Sequence, residues 1–454
     1  MIFEQYELGC LSISSYLIGD ETTGRAVVID PQRDIGGYVD DAEARGLKIE
    51  AVILTHFHAD YVSGHLELAE QAGAEIWFGE AAEADFPVHY ATDAERLVLG
   101  DVVLEVWATP GHTPESISIL VFPNSDDTTP WAVLTGDAIF VGDVGRPDLL
   151  GAIGITAQEL GSQLYDSVHR LAELPDEVRV YPGHSAGSAC GKNLGSEPYS
   201  TIGDQKATNY ALQPMPRQDF IDLVTAGQPA APGYFLHDAI TNRRDHATFD
   251  EKRHVPTLTK ADADSQIKAG AVLVDTRSPA DYAAGHLAGA VNVGLDGRFA
   301  ETVGMVVSAE TPIIVTGEPG AGHEAMVRLA RIGFDEVVGD LGDLAGVMAA
   351  HPDQVVSTRR VAPAQVSADG VQLVDVRNPG ETELGTFPGA TIIPLAQLPG
   401  RLDELDKDQP VLAYCAGGWR SMVAVSYLAS QGFGEVADVA GGYEELGKLL
   451  PAPV

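Results

Sequence analysis

The chain has 454 residues and carries 66 Asp plus Glu against 28 Lys plus Arg, which gives a formal net charge of −38. At roughly 100–200 residues per domain, this length predicts two to four domains, each large enough to bury a core. An apolar fraction of 45% and a mean hydropathy of +0.01 are typical of a globular protein and exclude a disordered acidic chain. The negative charge also argues against binding to nucleic acid or to an anionic membrane, because like charges repel.

The cysteines and the N-terminus indicate the compartment. Cys10, Cys190 and Cys415 are too few and too far apart for a disulfide framework. The first residues show no secretory signal, and no apolar run approaches the roughly 18 residues that cross a bilayer. We therefore expect a cytoplasmic protein with no membrane partner, whose thiols stay reduced and available for chemistry.

In the first 250 residues, apolar strand-like runs end in turns that carry His, Asp or Gly, among them AVVID, AVILTH, VVLEVWATPG, AVLTGD and VRVYPGH. Loops that follow the strands of a rigid sheet are where chemistry is usually placed. Four imidazoles and two carboxylates follow such runs: His56, His58, Asp60, His112, Asp137 and His184. Neutral imidazole and carboxylate are ligands of intermediate divalent ions, so the set predicts a metal site.

These residues resemble the metallo-β-lactamase fold, whose motif HxHxDH is followed by single His, Asp and His ligands. The resemblance covers about residues 1–250 and implies an αββα sandwich. One position departs from the motif, since Tyr61 stands where the final His is expected. In dinuclear relatives such as glyoxalase II, that His helps to hold the second metal, so the change favours a mononuclear centre.

The segments THFHADYVSGH, TPGHTPES, LTGDAIFVGDVGRPDL and YPGHSAGSACGK are similar to the persulfide dioxygenase branch of that fold. The resemblance implies one Fe(II) per chain, held by His56, His112 and Asp137. It places four further groups around the ligands, where they would orient ligands and water: His58, Asp60, Tyr61 and His184. The alternative is that His58 is itself a ligand in a zinc-like site.

Three residues close to these motifs are candidate substrate contacts. Arg146 could hold a substrate carboxylate or phosphate, or form a salt bridge with Asp148 or Asp143. Lys192 could meet an anion. Cys190 could exchange sulfur near the iron, or be a buried inert thiol.

The second half of the chain contains an internal repeat. The segment VLVDTRSPADYAAGHLAGAVNV, from Val272, recurs as QLVDVRNPGETELGTFPGATII, from Gln372. Each copy alternates short apolar strands with helical stretches that end in Gly, which predicts a small α/β fold with parallel strands. The predicted domains are therefore residues 1–257, 258–357 and 358–454.

The second copy carries a thiol between a strand and a helix, in the segment Cys415-Ala-Gly-Gly-Trp-Arg420-Ser. Backbone N–H groups at a helix N-terminus favour a thiolate or persulfide anion, and Arg420 adds a cation. This CxxxxR loop, with Asp375 and Arg377 upstream, resembles the rhodanese domain. The resemblance implies that Cys415 accepts a sulfane sulfur and passes it on. In the first copy, an ungapped alignment places Thr316 at the position of Cys415 and Ala321 at that of Arg420, so that copy is expected to be an inactive rhodanese homology domain.

The combined prediction is an α/β protein in which a metallo-β-lactamase αββα sandwich precedes two tandem rhodanese-like domains. Its expected function is to oxidise a thiol persulfide of glutathione, CoA or a similar carrier with O2, giving sulfite and thiol. Rhodanese sulfur transfer would then form or use thiosulfate. We also expect a homo-oligomer, as related enzymes often are.

Two alternatives remain open at the level of sequence. The first is a zinc thioester hydrolase of the glyoxalase II type fused to a sulfurtransferase. The second is a sulfur-carrier or sensory protein with an inert metal domain.

Overall fold

The computed structural model describes residues 1–149, 151 and 154–449. It divides into two compact units, one formed by residues 1–228 with 235–251 and the other by 229–234 with 252–454. The predicted domain boundaries after residues 257 and 357 stay predictions. Residues 450–454 of the third predicted domain lie outside the described residues.

The first unit begins with a six-stranded sheet whose strands lie side by side in chain order. Its strands and helices are β1 (Ile2–Leu8), β2 (Ile13–Asp20), β3 (Arg25–Ile29), α1 (Gly36–Ala44), β4 (Lys48–Ile53), α2 (His65–Ala72), β5 (Glu75–Gly79) and β6 (His89–Ala91). The pairs β1–β2 and β2–β3 are antiparallel, whereas β3 to β6 run parallel. Parallel neighbours bring the carboxyl ends of β3 and β4 to one edge of the sheet.

The remainder of this unit forms a second six-stranded sheet, in the order β12-β11-β10-β9-β8-β7. Its elements are β7 (Arg96–Val98), β8 (Val103–Ala108), β9 (Ile117–Phe122), β10 (Ala132–Gly136), α3 (Ala157–Ala172), β11 (Arg179–Pro182), β12 (Ser200–Thr201), α4 (Ile202–Thr208), α5 (Arg217–Thr225) and α6 (Phe235–Thr241), with a 3₁₀ turn at Tyr210–Leu212. Helix α3 begins with a capping box, in which Thr156 accepts from the N–H of Glu159 and Glu159 accepts in return.

Three apolar layers show that this unit is an αββα sandwich. The central layer joins the two sheets, with Ile18 and Val27 of one meeting Leu104 and Ile119 of the other. A second layer packs α1 and α2 on the outer face of the first sheet, and a third packs α3 and α5 on the outer face of the second. Both faces of each sheet are therefore buried, one against the other sheet and one against helices.

The second unit contains two α/β modules, each with a small sheet. The first module has α7 (Lys260–Lys268), β13 (Val272–Asp275), α8 (Pro279–Ala284), β14 (His286–Leu287), β15 (Val291–Asn292), α9 (Phe299–Val306), β16 (Ile313–Thr316), α10 (Ala321–Ala330), β17 (Val337–Asp340), α11 (Leu344–Ala350) and β18 (Val355–Val356), with a 3₁₀ turn at Pro352–Gln354. Its four-stranded sheet has the order β15-β13-β16-β17, and all three pairs are parallel.

The second module has β19 (Arg359–Val361), β20 (Gln372–Asp375), α12 (Pro379–Thr382), β21 (Thr391–Ile392), β22 (Val411–Tyr414), α13 (Arg420–Ser430), β23 (Val436–Val439) and α14 (Gly442–Leu446). It also has 3₁₀ segments at Pro363–Gln365, Leu395–Glu404 and Gly447–Leu449. Its five strands pair in parallel, in the order β19-β23-β22-β20-β21. Both modules are therefore the parallel α/β folds that the repeat predicts.

The strand register corrects the ungapped alignment of the two modules. In the second module Asp375 pairs with Tyr414, and Cys415 follows that strand. In the first module Asp275 pairs with Thr316, so the residue in the place of Cys415 is Gly317 and not Thr316. The alignment was wrong by one residue there because the loop before α10 has four residues (317–320) and the loop before α13 has five (415–419). Either way, the first module has no thiol at this position.

Within the described part of the chain, none of the helices is both long and apolar enough to cross a membrane.

Candidate functional site

The polar residues singled out in the sequence gather at one edge of the sandwich, beyond the ends of four strands. His56, His58 and Asp60 follow β4, His112 follows β8, Asp137 follows β10 and His184 follows β11. All six are buried, with at most 4% of their surface exposed. The register of the two sheets therefore brings together side chains that lie up to 128 positions apart in the sequence.

Within this cluster, the side chains fall into overlapping groups whose ligand atoms all lie within 4.8 Å of one another. These groups are His56 with His112 and Asp137, His58 with Asp60 and His184, and Asp137 with His184 and Cys190. Asp137 is at the centre, since its Oδ2 lies 3.8 Å from Nε2 of His56 and 3.4 Å from Nε2 of both His112 and His184. The Asp137 carboxylate can thus be shared between the groups.

The hydrogen bonds of the four imidazoles orient each ring. His112 Nδ1 lies 2.9 Å from the carbonyl of Arg146, and His184 Nδ1 lies 3.1 Å from that of Ser12. Because a carbonyl can only accept, these nitrogens carry the proton and donate. The Nε2 atoms of His112 and His184 are then left with a lone pair that faces Asp137.

The other two rings are held in the same manner. His58 Nε2 lies 3.0 Å from the carboxylate of Asp30. His56 Nδ1 lies 3.0 Å from the hydroxyl of Thr55, which donates its own proton to Asp30. The lone pairs of His58 Nδ1 and His56 Nε2 are consequently free to bind an ion. Donation of the second ring nitrogen to a carboxylate or carbonyl is typical of metal-ligating histidines.

The donor set fits a divalent metal. The buried Nε2 atoms of His56 and His184, Nδ1 of His58 and both carboxylate oxygens of Asp137 make no hydrogen bond within the protein. Leaving buried acceptors without a partner costs free energy, and a bound cation would satisfy all of them.

The pKa values of His56 and Asp137 agree with a cation-binding role, whereas that of His184 reflects the negative charge of the carboxylates around it. Burial is the main cause that holds the pKa of His56 well below its usual value, so this ring stays neutral. Burial would raise the pKa of Asp137, but the imidazoles of His184, His56 and His112 outweigh burial and hold this pKa below its usual value. The carboxylate therefore stays ionised. Burial alone would lower the pKa of His184, and the carboxylates of Asp137 and Asp60 raise it instead.

Asp30 is a site residue that the sequence analysis did not single out. It accepts from the N–H and the hydroxyl of Thr55 and from His58, and its own backbone adopts a left-handed φ of 50°. Strain of this kind is retained where surrounding contacts impose it, often at functional sites. Its signal in the sequence is the position directly after the apolar strand AVVI.

Tyr61, which replaces the final His of the motif, is buried beside this group. Its ring lies 4.4 Å from that of His58, and its hydroxyl donates to the backbone carbonyl of Asp30 at 3.2 Å. Burial raises the pKa of Tyr61 well above its usual value. The residue thus supplies packing and one neutral hydrogen bond where the motif would supply an imidazole.

The three candidate substrate contacts have protein partners. The guanidinium of Arg146 forms two hydrogen bonds with Asp148, at 2.6 and 2.7 Å, as in the salt-bridge alternative. The ammonium of Lys192 donates to the carbonyls of Leu223 and Ala226. Cys190 is buried beside Asp137 and His184, and burial raises the pKa of its thiol to about 12.

In the second unit, Cys415 lies directly after β22 and is 1% exposed. Its Sγ accepts from the N–H of Gly418 at 3.2 Å, and the Ser421 hydroxyl lies 3.6 Å away. Gly418 adopts a φ of +87°, which the tight curl of the loop requires. One backbone N–H of the loop in front of helix α13 thus points at the sulfur.

Arg420 has a partner that the sequence analysis did not identify. Its two terminal nitrogens donate to the two oxygens of Glu381, at 2.7 and 2.6 Å. Burial would raise the pKa of Glu381, but the hydrogen bonds and charge of Arg420 outweigh it and hold this pKa below its usual value. The positive charge of Arg420 is therefore compensated within the loop's surroundings.

Comparison with known proteins supports both parts of this picture. The metallo-beta-lactamase superfamily model matches residues 8–184, and the rhodanese-like domain model matches residues 259–343 and 360–448. A solved metallo-beta-lactamase of Staphylococcus aureus subsp. aureus COL is 34% identical, with a TM-score of 0.68 over 75% of this chain and 98% of the other. The chain belongs to the metallo-β-lactamase superfamily and carries two rhodanese-like domains.

Two kinds of curated relative resemble the metallo-β-lactamase domain. The mitochondrial persulfide dioxygenase ETHE1 of Homo sapiens is 30% identical over 37% of this chain and 63% of its own length, so the match spans less than two thirds of that protein. A hydroxyacylglutathione hydrolase of Xanthomonas oryzae is 31% identical over 48% of this chain and 76% of its own length. Similarity alone therefore does not choose between oxidation and hydrolysis.

Proposed function

We propose that the chain is a persulfide dioxygenase joined to a rhodanese sulfurtransferase. The observation that carries the first half is the group His56, His112 and Asp137, with two imidazoles and one carboxylate around one point. Such a set leaves several coordination positions open and suits Fe(II), which when bound supplies the means of combining a sulfur ligand with O2. Arg146 O and Thr55 would orient the two imidazoles, and the burial of the group would exclude bulk water.

The overall reaction at this site would convert a thiol persulfide, O2 and water into the thiol and sulfite. The buried residues His58, Asp60 and His184 would surround the reacting sulfur and position water for release of the product. The imidazoles and carboxylates of this pocket would accept the protons that water releases in the reaction.

The second half of the proposal is carried by Cys415, whose sulfur accepts from the Gly418 N–H in the loop before α13. The Cys415 thiolate would attack the outer sulfur of a persulfide, so that the S–S bond of the donor breaks and the thiol leaves with a proton. Sulfite would then attack the outer sulfur of the Cys415 persulfide, forming thiosulfate and regenerating the thiolate. The N–H of Gly418 would stabilise the negative sulfur in both steps.

The first experiment measures metal content and oxygen uptake. The protein loaded with Fe(II) is expected to consume O2 with glutathione persulfide or CoA persulfide and to release sulfite, whereas zinc-loaded protein should not. Cys415→Ser should abolish sulfur transfer to sulfite. Iron-loaded protein that takes up no oxygen with either persulfide would disprove the dioxygenase half.

A thioester hydrolase is the second candidate, because His58, Asp60 and His184 form another ligand group beside the first and hydrolases occur among the relatives. Tyr61 speaks against it, since the side chain that would complete a second metal site is absent. Two zinc ions per chain together with hydrolysis of S-lactoylglutathione would favour the hydrolase.

A further inference from the structure

The last segment of the first unit, residues 235–251, returns to the loop that carries the metal-binding motif. It follows the second sheet in sequence, yet it forms hydrogen bonds with residues beside the first sheet. The N–H of Phe249 donates to Glu67 in α2, and Arg33 donates to the carbonyl of Ala247. This segment therefore lies against α2 and the loop that follows β3.

Asn242, in this segment, is completely buried and makes three hydrogen bonds to the motif loop. Its amide nitrogen donates to the carbonyls of His58 and Tyr61, each at 2.8 Å. Its amide oxygen accepts from the N–H of Ser63, also at 2.8 Å. Both polar atoms of its side chain are thus used on the backbone of three residues of one loop.

This loop needs such a partner, because residues 54–64 lie between β4 and α2 and form neither helix nor strand. Buried carbonyls outside regular structure require donors from elsewhere. The ring of His58 is held by Asp30, and its backbone is held by Asn242. The side chain and the backbone of His58 are therefore both held in place.

We propose that Asn242 is a positioning residue of the metal centre, which sets the backbone of residues 58–63 so that His56, His58 and Asp60 present their ligand atoms together. The proposal rests on the metal-binding part of the proposed function and not on iron or on oxygen chemistry. It can therefore fail or succeed independently of the dioxygenase assignment.

The test compares two variants with the wild type, each loaded with Co(II) as a spectroscopic probe. Asn242→Asp keeps the acceptor for Ser63 but turns an oxygen toward the two carbonyls, and Asn242→Ala removes all three bonds. We expect Co(II) dissociation constants at least tenfold higher than in the wild type and a changed visible d–d spectrum. Unchanged affinity and spectrum in folded variants would overturn the proposal.

The matched control is Asn292 in the second unit. Its amide nitrogen likewise donates to two buried carbonyls, those of Asp275 and Arg277, at 3.0 and 2.9 Å. Asn292→Asp imposes the same chemical change far from the motif loop in sequence, so Co(II) affinity and spectrum should equal those of the wild type. An equal loss in Asn292→Asp would show a general effect on folding and would contradict a positioning role.

If neither Asn242 variant folds, hydrogen exchange of the wild-type protein decides. The Ser63 N–H, in a loop, should be as strongly protected as the amides of β4, both with and without metal. Rapid exchange of that N–H in the metal-free protein would mean that Asn242 does not hold the loop, and the proposal would be rejected.

Discussion

At the scale of single residues, charge placement around Cys415 differs from what the sequence suggests. Arg420 is the last residue of the CxxxxR motif, five positions after Cys415. A free cation at this position would attract anionic sulfur compounds. The structure pairs both of its terminal nitrogens with Glu381. The positive charge of Arg420 is therefore offset by Glu381, and the group that donates to the Cys415 sulfur is the N–H of Gly418.

Glu381→Gln should expose the effect of this pairing. The neutral amide leaves the charge of Arg420 uncompensated, so the KM for thiosulfate should fall several-fold while kcat changes little. Glu383→Gln is the control, since it removes an equal charge from an exposed position two residues away. Equal KM values for the two variants in a sulfur-transfer assay would contradict this account.

The same pair predicts a pH dependence. The pKa of Glu381 is lower in the folded protein than its usual value of 4.5, so the pair stabilises the fold above that pH and loses its effect as the pH falls below it. Hydrogen exchange of residues 415–425 should therefore be slower in the wild type than in Glu381→Gln at pH 7. That difference should shrink on acidification below pH 4.5, and a constant difference would argue against the assignment.

Residues also show what the sequence could and could not predict. The metal-site histidines were identifiable because each follows an apolar strand, and strand ends meet at one edge. Asn242 and Glu381 were not, because their partners are 181 and 39 positions away along the chain, and only the fold brings them together. Thr316 was aligned with the wrong residue because the loop before the helix is one residue shorter in the first module. The hydrophobic pattern of the sequence does not reveal such a difference in loop length.

At the scale of elements, helix α13 of the second rhodanese-like module also contacts the first module. It begins at Arg420 beside the Cys415 loop, and its Ser426 hydroxyl accepts from the N–H of Asn292 in β15 of the first module, at 2.9 Å. Both residues are 1% exposed. The degenerate module thus supplies part of the packing surface of the helix that follows the reactive loop, which gives it a structural role despite its missing thiol.

Ser426→Ala tests this role. The buried N–H of Asn292 would lose its acceptor, at a cost of about 1–3 kcal/mol, so the second unit should unfold at a lower temperature and sulfur transfer should weaken. Ser430→Ala is a matched control on the same helix, because its hydroxyl donates to a carbonyl one turn earlier, as that of Ser426 also does. Among the described residues, the Ser430 hydroxyl accepts only from the neighbouring Gln431 side chain and not from the first module. Equal melting temperatures for both variants would show that the contact between modules contributes nothing.

At the scale of the whole molecule, the two proposed chemistries lie in separate units and should be separable by mutation. Asp137→Asn removes the shared carboxylate and should abolish metal binding and oxygen uptake, while transfer of sulfur from thiosulfate to a thiol continues. Cys415→Ser should do the reverse. Loss of both activities in either variant, with the fold intact by circular dichroism, would contradict this division.

The net charge of −38 is a property of the whole molecule. It does not attract the proposed substrates and products, which are themselves anions, and it is consistent with solubility. The few cations near the motifs are paired, Arg146 with Asp148 and Arg420 with Glu381. Selectivity for small anionic sulfur compounds would then depend on the buried loops rather than on surface potential.

A dioxygenase coupled to sulfur transfer is tested most directly by the product balance of the iron-loaded protein supplied with glutathione persulfide and measured amounts of O2. We expect one sulfite per O2 consumed in Cys415→Ser. In the wild type with excess persulfide, we expect one thiosulfate per O2 instead. Persulfide consumption without O2 uptake, or an identical product in the two proteins, would contradict a dioxygenase coupled to sulfur transfer.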